Sequence, residues 1–182
     1  CTVGIVGSGP VGLSALMTAQ FFSPSKIIMI DLDDNRLNTA LEFGATHKVN
    51  TKDVEKGIKE IFDLTDGKGV DVAIEAVGIP ATFDICQKII AIDGTVANVG
   101  VHGLPVSFEL NRLWIRNINV TTGLVSTNTT PQLLNVLESE KIHPEKLVTH
   151  YFKLSEVDKA YDTFRNAVKN KSIKVIIEND LS

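Results

Sequence analysis

The sequence predicts an α/β fold: a doubly wound parallel sheet with helices on both faces. Three observations predict it. Short β-branched and aliphatic runs alternate with helical segments of about 10–12 residues. The runs are apolar throughout rather than in alternation, as strands buried on both faces must be. Right-handed crossovers then leave few topologies, of which the doubly wound sheet is the simplest.

Element by element, Thr2-Val3-Gly4-Ile5-Val6 is a buried strand bounded by glycine. Gly7-Ser8-Gly9-Pro10-Val11-Gly12 follows, then an Ala/Leu/Met-rich helix from Leu13 to Phe22. Pro10 suits a first helical turn, where its missing N–H has no intrahelical partner. Lys26 to Ile30 is a second strand ending at Asp31, and Asp34 to Phe43 is a helix stopped by Gly44. Thr46 to Asn50 reads as a short strand. Asp53 to Leu64 reads as an amphipathic helix with Val54, Ile58, Ile61 and Phe62 on one face. Val70 to Ala76, Pro80 to Ile90 and Thr95 to Val99 continue the pattern as strand, helix and strand. Beyond Gly103 the pattern loosens. Val106 to Leu110 is expected as an edge strand, Ile118 to Val125 as a longer strand and Pro131 to Ser139 as a helix. Ser155-Glu156-Val157-Asp158 resembles a capping box and would open a helix to about Val168. Ile173 to Glu178 closes the chain as a strand. The composition shift at residues 126–130 is the best internal boundary, giving units 1–126 and 127–182.

Composition excludes several classes. The 182 residues are 43% apolar, 22% charged and 6% aromatic, enough for a sizeable core. A balance of 18 basic against 22 acidic residues leaves no basic footprint for nucleic acid or an anionic membrane. No apolar run approaches the roughly 20 residues that span a bilayer. No charged-then-apolar leader opens the chain. Cys1 and Cys86 are too few for a disulfide framework or a zinc knuckle, so a reducing, cytoplasmic setting is expected. Cys1 in place of methionine leads us to expect a processed or excised chain.

The glycine loop carries the first chemistry. On its own G-x-G-x-x-G is weak, but here a strand precedes it, a helix follows and Asp31 ends the next strand. That is the Rossmann dinucleotide pattern. Gly7 permits the tight turn, Gly9 lets backbone approach a pyrophosphate, and Gly12 lets the helix pack closely. A helix N-terminus offers free N–H groups and a positive dipole to the anion. Pro10 donates nothing, so Val11 N–H is the expected donor. Asp31 would accept from ribose hydroxyls and repel a 2′-phosphate, favouring NAD over NADP, unless Arg36 compensates; Arg36 is expected along the adenine face. A glycine-rich turn without a nucleotide is the structural alternative. Methyltransferases that bind S-adenosylmethionine share a glycine loop and a strand-2 acid, but need no pyrophosphate site.

No catalytic constellation is legible. His47, His102, His143 and His150 share no metal-ligand spacing with one another or with cysteine. His102 leaves the carboxyl end of a strand, where ligands sit in open sheets, yet is expected to face solvent. Glu75 ends a strand at the same edge and reads as structural, with a general base the alternative. Cys86 is expected in the core.

Taken together, Val3 to Gly12, Ile30-Asp31, Glu42 to Thr46, Gly67 to Asp71, Glu75 to Gly78 and Ser172 to Lys174 resemble the medium-chain, zinc-dependent alcohol dehydrogenases. Thr121 to Val125 and Leu154 to Tyr161 are similar to that family too, so the resemblance runs over the whole chain. It implies residue roles. Asp31 would hold the adenosine ribose, and Arg36 would lie beside the adenine. Ala76, Val77, Val99, Gly100 and Val101 would line the nicotinamide cleft, with Leu124 and Ser126 near the carboxamide. Lys174 would approach the pyrophosphate, its alternative being a solvated strand-end lysine. The resemblance also implies a GroES-like catalytic domain, absent from this chain, that supplies cysteine, histidine and acidic ligands to zinc. Residues 127–182 would return to that domain. The expectation is therefore the NAD-binding portion of an alcohol dehydrogenase-like oxidoreductase, acting on an alcohol or carbonyl compound and inactive alone. In the intact enzyme the resemblance implies a homo-oligomer, in which an edge strand at Val106 to Leu110 could pair across a two-fold, its alternative being an unpaired edge open to aggregation. The alternatives are a zinc-independent quinone or enoyl reductase of the same superfamily, and a non-catalytic NAD-binding module.

Overall fold

Val3, Gly4, Ile5 and Val6 leave the first strand without a polar face, so it stabilises only where both faces are covered. In the computed structural model, which describes residues 1–180, Thr2–Val6 is strand β1 at the centre of a six-stranded parallel sheet. The chain continues through α1 (Pro10–Ala19), β2 (Lys26–Asp31), α2 (Asp34–Glu42), β3 (His47–Asn50) and α3 (Val54–Leu64). It then crosses back through β4 (Val70–Glu75), α4 (Pro80–Ile89), β5 (Ile90–Asn98), α5 (Leu110–Leu113) and β6 (Asn119–Thr122). The spatial order β3-β2-β1-β4-β5-β6 is the doubly wound arrangement that the sequence predicts. The order reverses between β1 and β4, opening a crevice at their carboxyl ends.

Local chemistry sets the helix ends. Pro10 and Pro80 begin α1 and α4. Asp33 Oδ1 accepts from the Asn35 and Arg36 amides at 2.7 and 3.1 Å, and Asp53 caps α3 through Lys56 N–H at 3.1 Å. Gly44, at φ +101°, ends α2 in the left-handed conformation. The core gathers Val6, Ile28, Ile30, Ile61, Ile89 and Val96 from strands and covering helices. In α3, Val54, Ile58 and Leu64 pack on this core beside Ile61.

Three expectations for this part of the chain are corrected. β5 starts at Ile90 rather than Thr95, because a register irregularity lets Val70 pair with Ile90 before Val72 pairs with Thr95. Val106 to Leu110 is not a strand. Leu110 opens α5, and Gln87 on α4 holds residues 106–109 as irregular chain, its Nε2 donating to Ser107 C=O at 3.0 Å and its Oε1 accepting from Glu109 N–H at 2.9 Å. The outermost strand on that side is β6, so a two-fold pairing through Val106 to Leu110 has no strand to rest on. The strand expected over Ile118 to Val125 is confined to Asn119–Thr122, paired with Thr95 to Asn98.

The chain divides into two compact units, the first Cys1–Val125 and the second from Ser126 onward. The second contains α6 (Thr130–Glu138), β7 (Val148–Lys153), α7 (Val157–Arg165), α8 (Ala167–Asn170) and β8 (Lys174–Glu178). β7 and β8 form a parallel pair. The capping box does not form. Ser155 turns to Asp180 instead, its hydroxyl donating to Oδ2 at 2.8 Å and its N–H to Oδ1 at 3.1 Å. The helix expected to reach Val168 ends at Arg165 and resumes as α8 after Asn166. Among the described residues no helix is long and apolar enough to cross a membrane.

Candidate functional site

The loop from β1 into α1 is built by steric exclusion. Gly7 has φ +106°, a conformation that side chains resist, and its N–H donates to Ile30 C=O at 2.7 Å. A Cβ at Gly12 would collide with the Gly7 carbonyl, so helix and loop pack at a distance only glycine allows. Gly9 differs: a Cβ there would meet nothing within 4 Å. The space before the helix is open. Leu13 N–H closes the first turn onto Gly9 C=O at 2.9 Å, leaving the Val11 and Gly12 amides ahead of it. Backbone donors and the helix dipole thus converge on open space, which suits a pyrophosphate.

Asp31 fixes the second part. Its Oδ2 accepts from Ser8 N–H at 2.7 Å, and its Oδ1 accepts from Leu32 and Asp33 N–H at 2.7 and 3.0 Å. The carboxylate therefore ties β2 to the glycine loop and stands aimed at the crevice. A carboxylate offers roughly four acceptor sites, so capacity remains for a hydroxyl donor. Beside it lies a cavity of about 240 Å³, bordered by Gly7, Asp31, Arg36, Thr51, Val77 and Ile85 among others. These residues fit an adenosine: an acid for the ribose, aliphatic walls and a cation at the rim.

The turns after β4 and β5 form the third part. Glu75, wholly buried, accepts from Val77 N–H at 3.0 Å, Gly78 N–H at 2.9 Å and the Thr82 hydroxyl at 2.6 Å. Its backbone carbonyl takes Val99 and Gly100 N–H at 2.9 and 3.0 Å. Gly78 and Gly100 sit so close that a Cβ on either would strike the opposite turn. His102 closes the group: Nε2 lies 2.8 Å from Asn98 Oδ1 and 3.3 Å from Glu75 Oε2, while the ring meets Phe83 edge-on at 6.0 Å. Asn98 Nδ2 donates to Gly100 C=O at 3.0 Å. The expectation of a solvent-facing His102 is thus corrected, because a buried carboxylate and an amide draw the ring inward. Glu75 has the structural part expected of it. Cys86 is buried in the core on α4, and burial together with the Glu75 charge pushes its thiol pKa up.

The structure brings most of the candidate cofactor residues to one sheet edge. Gly7, Gly9, Pro10, Val11 and Gly12 form the loop and helix start, with Asp31 and Arg36 beside the cavity. Ala76 and Val77 abut Gly7, and Val101 abuts Gly78. Val99 and Gly100 hang from Glu75. Val77, Val99 and Val101 are exposed, Val101 at 87%. Leu124 lies beyond β6, 92% exposed and outside the cavity lining. Lys174 opens β8 in the second unit and is exposed. Sequence reasoning missed Ser8 N–H, Thr82 and the Glu75–His102–Asn98 group. A glutamate shortly before Val-Gly is a legible cue for side-chain capping of the following turn; the histidine contact carries no local cue. Among the described residues no three His, Cys, Asp or Glu side chains come together to hold a metal ion, so this chain's own residues do not fit a zinc site.

Comparison with known proteins agrees with this geometry. The chain is 34% identical over 169 residues to an alcohol dehydrogenase of Cupriavidus necator, covering 91% of this chain and 46% of that protein. It superposes with a TM-score of 0.98 on zinc dependent alcohol dehydrogenase 2 from Streptococcus pneumonia, 76% identical, covering 100% of this chain and 52% of that one. Against an alcohol dehydrogenase from Thermus sp. ATN1 the TM-score is 0.89 at 30% identity, over 98% of this chain and 51% of the other. The chain thus spans about half the length of the relatives it matches. Residues 10–139 match the family model described as zinc-binding dehydrogenase, and the chain belongs to that family.

Proposed function

We propose that this chain binds NAD across the carboxyl edge of the sheet, as the coenzyme-binding portion of an alcohol dehydrogenase-like oxidoreductase. The observation that carries the reading is the Asp31 carboxylate, tethered to Ser8 N–H at 2.7 Å between the glycine loop and the cavity. One acid there serves two ends: it orders the phosphate loop and faces the adenosine ribose. The Val11 and Gly12 amides hold the pyrophosphate, and Gly9 leaves it room. Arg36 lies beside the adenine. Ala76, Val77, Val99, Gly100, Val101 and Leu124 form the apolar wall for the nicotinamide ring. NAD, when bound, accepts or returns a hydride at its nicotinamide ring; the residues above orient that ring and exclude water from one side of it. Zinc and the alcohol or carbonyl substrate belong to the intact protein, to whose remaining part residues 127–182 return. Turnover is a property of that whole.

Titration of NAD and NADP tests the assignment. NAD binds the more tightly, and Asp31→Ala narrows the ratio by about tenfold, since one carboxylate–phosphate repulsion and one ribose hydrogen bond disappear together. An unchanged ratio in the variant removes Asp31 from the discrimination. Tight binding of S-adenosylmethionine with none of NAD overturns the reading.

A further inference from the structure

We infer that His102 is a positioning residue for the nicotinamide end of the cleft. The inference rests on the NAD reading above. The chain of contacts is continuous. Nε2–H of His102 faces Asn98 Oδ1 at 2.8 Å and Glu75 Oε2 at 3.3 Å. Asn98 in turn donates to Gly100 C=O at 3.0 Å, and Glu75 receives the amides of Val77 and Gly78. One imidazole therefore joins the last residue of β5 to the last residue of β4, and each of those residues fixes the turn that follows it. The two turns present Val77, Val99 and Val101, whose exposed aliphatic surfaces have no polar means of holding their own position.

The tautomer follows from the partners. Both groups near Nε2 are acceptors, so the proton is on Nε2. Nδ1 is buried and has no partner among the described residues. A buried acceptor without a partner is tolerated more readily than a buried donor without one. The ring stays in place because Phe83 packs edge-on against it and Asn98 Oδ1 takes its donor, with Glu75 Oε2 3.3 Å away. Removing the histidine takes that donor from Asn98 Oδ1, and an unpaired polar group this close to the crevice is expensive, while Glu75 keeps its Val77, Gly78 and Thr82 donors.

Paired variants and two ligands provide the test. His102→Leu preserves bulk and removes the donor; His102→Gln restores an N–H near the Nε2 position. NADH spans both ends of the cleft, whereas ADP-ribose lacks nicotinamide and reports the loop and adenosine end alone. In the 182-residue chain, His102→Leu weakens NADH by about tenfold and ADP-ribose by less than about twofold, and His102→Gln recovers most of the loss. The emission of bound NADH, which reports the environment of the nicotinamide ring, changes in His102→Leu and returns toward the native spectrum in His102→Gln. Equal weakening of NADH and ADP-ribose, or no rescue by glutamine, overturns the inference and leaves His102 a packing residue. Failure of the unaltered chain to bind either ligand overturns the NAD reading instead, so the two failures are distinguishable.

Discussion

Cys86 lies on α4 with no exposed surface, and both burial and the Glu75 charge disfavour its thiolate. Its folded pKa is raised above the ordinary value of 9.0, so the unfolded chain loses this proton first. The associated stability is complete below that value and declines as pH climbs past it. Urea melts from about pH 8 to about pH 10.5 should fall more steeply for the native chain than for Cys86→Ala. Equal slopes would show that the thiol does not contribute. Exposed Cys1 should react with a maleimide at neutral pH while Cys86 is spared until unfolding. Two glycines of the loop separate stability from binding in the same way. Gly12→Ala drives a Cβ into the Gly7 carbonyl and should destabilise by about 3 kcal/mol or more. Gly9→Ala meets only open space and should stay within about 1 kcal/mol of native, while NAD binding weakens by at least about tenfold. Native-like NAD affinity in Gly9→Ala would mean that no pyrophosphate approaches that backbone.

At the scale of elements, the segment before α5 shows how side-chain hydrogen bonds override pattern. Val106 to Leu110 has strand-like composition, yet Gln87 on α4 claims its Ser107 carbonyl and Glu109 amide. Gln87→Ala removes both bonds and leaves a void under the segment, at a cost of about 2–3 kcal/mol in urea unfolding. Hydrogen exchange at the Glu109 amide should accelerate in that variant while β1 amides keep their order of protection; unchanged exchange at Glu109 would locate the anchor elsewhere. The same logic explains what the sequence made legible. β1 to β4 and α1 to α4 follow from apolar runs, helix-starting prolines and amphipathic spacing, all of them short-range signals. Gly7 to Gly12 and Asp31 are legible because loop, helix start and strand end lie within one βαβ unit. β7 escapes because Val148–Lys153 mixes His150 and Lys153 into an alternating, half-exposed strand. Ser155 misleads because its partner, Asp180, lies far along the chain. The Glu75–His102–Asn98 group is likewise invisible, since parallel strands bring their ends together only after the crossover is made.

For the whole molecule, the consequence of the cradle is thermodynamic. The net charge of −4 offers no general attraction for a dinucleotide, so binding must come from the local donors of the loop and the acid at β2. Those groups are assembled from separate elements, β1, α1, β2, β4 and β5, and exist as a site only in the folded chain. A ligand that binds the folded state alone stabilises it by about 2.7 kcal/mol at a concentration of about 100 times its dissociation constant. For a unit the size of Cys1–Val125 that corresponds to a rise in melting temperature of roughly 10 °C. NAD should produce the rise, NADP at equal concentration a smaller one, and Asp31→Ala should bring the two together. Since the shift depends on fold and site jointly, the two variants of the glycine loop should diverge here as well. Gly12→Ala melts lower with or without NAD, whereas Gly9→Ala melts near the native temperature alone and fails to gain from NAD. A native chain whose melting temperature NAD leaves unmoved at millimolar concentration would mean that the assembled edge is a fold feature and not a coenzyme site.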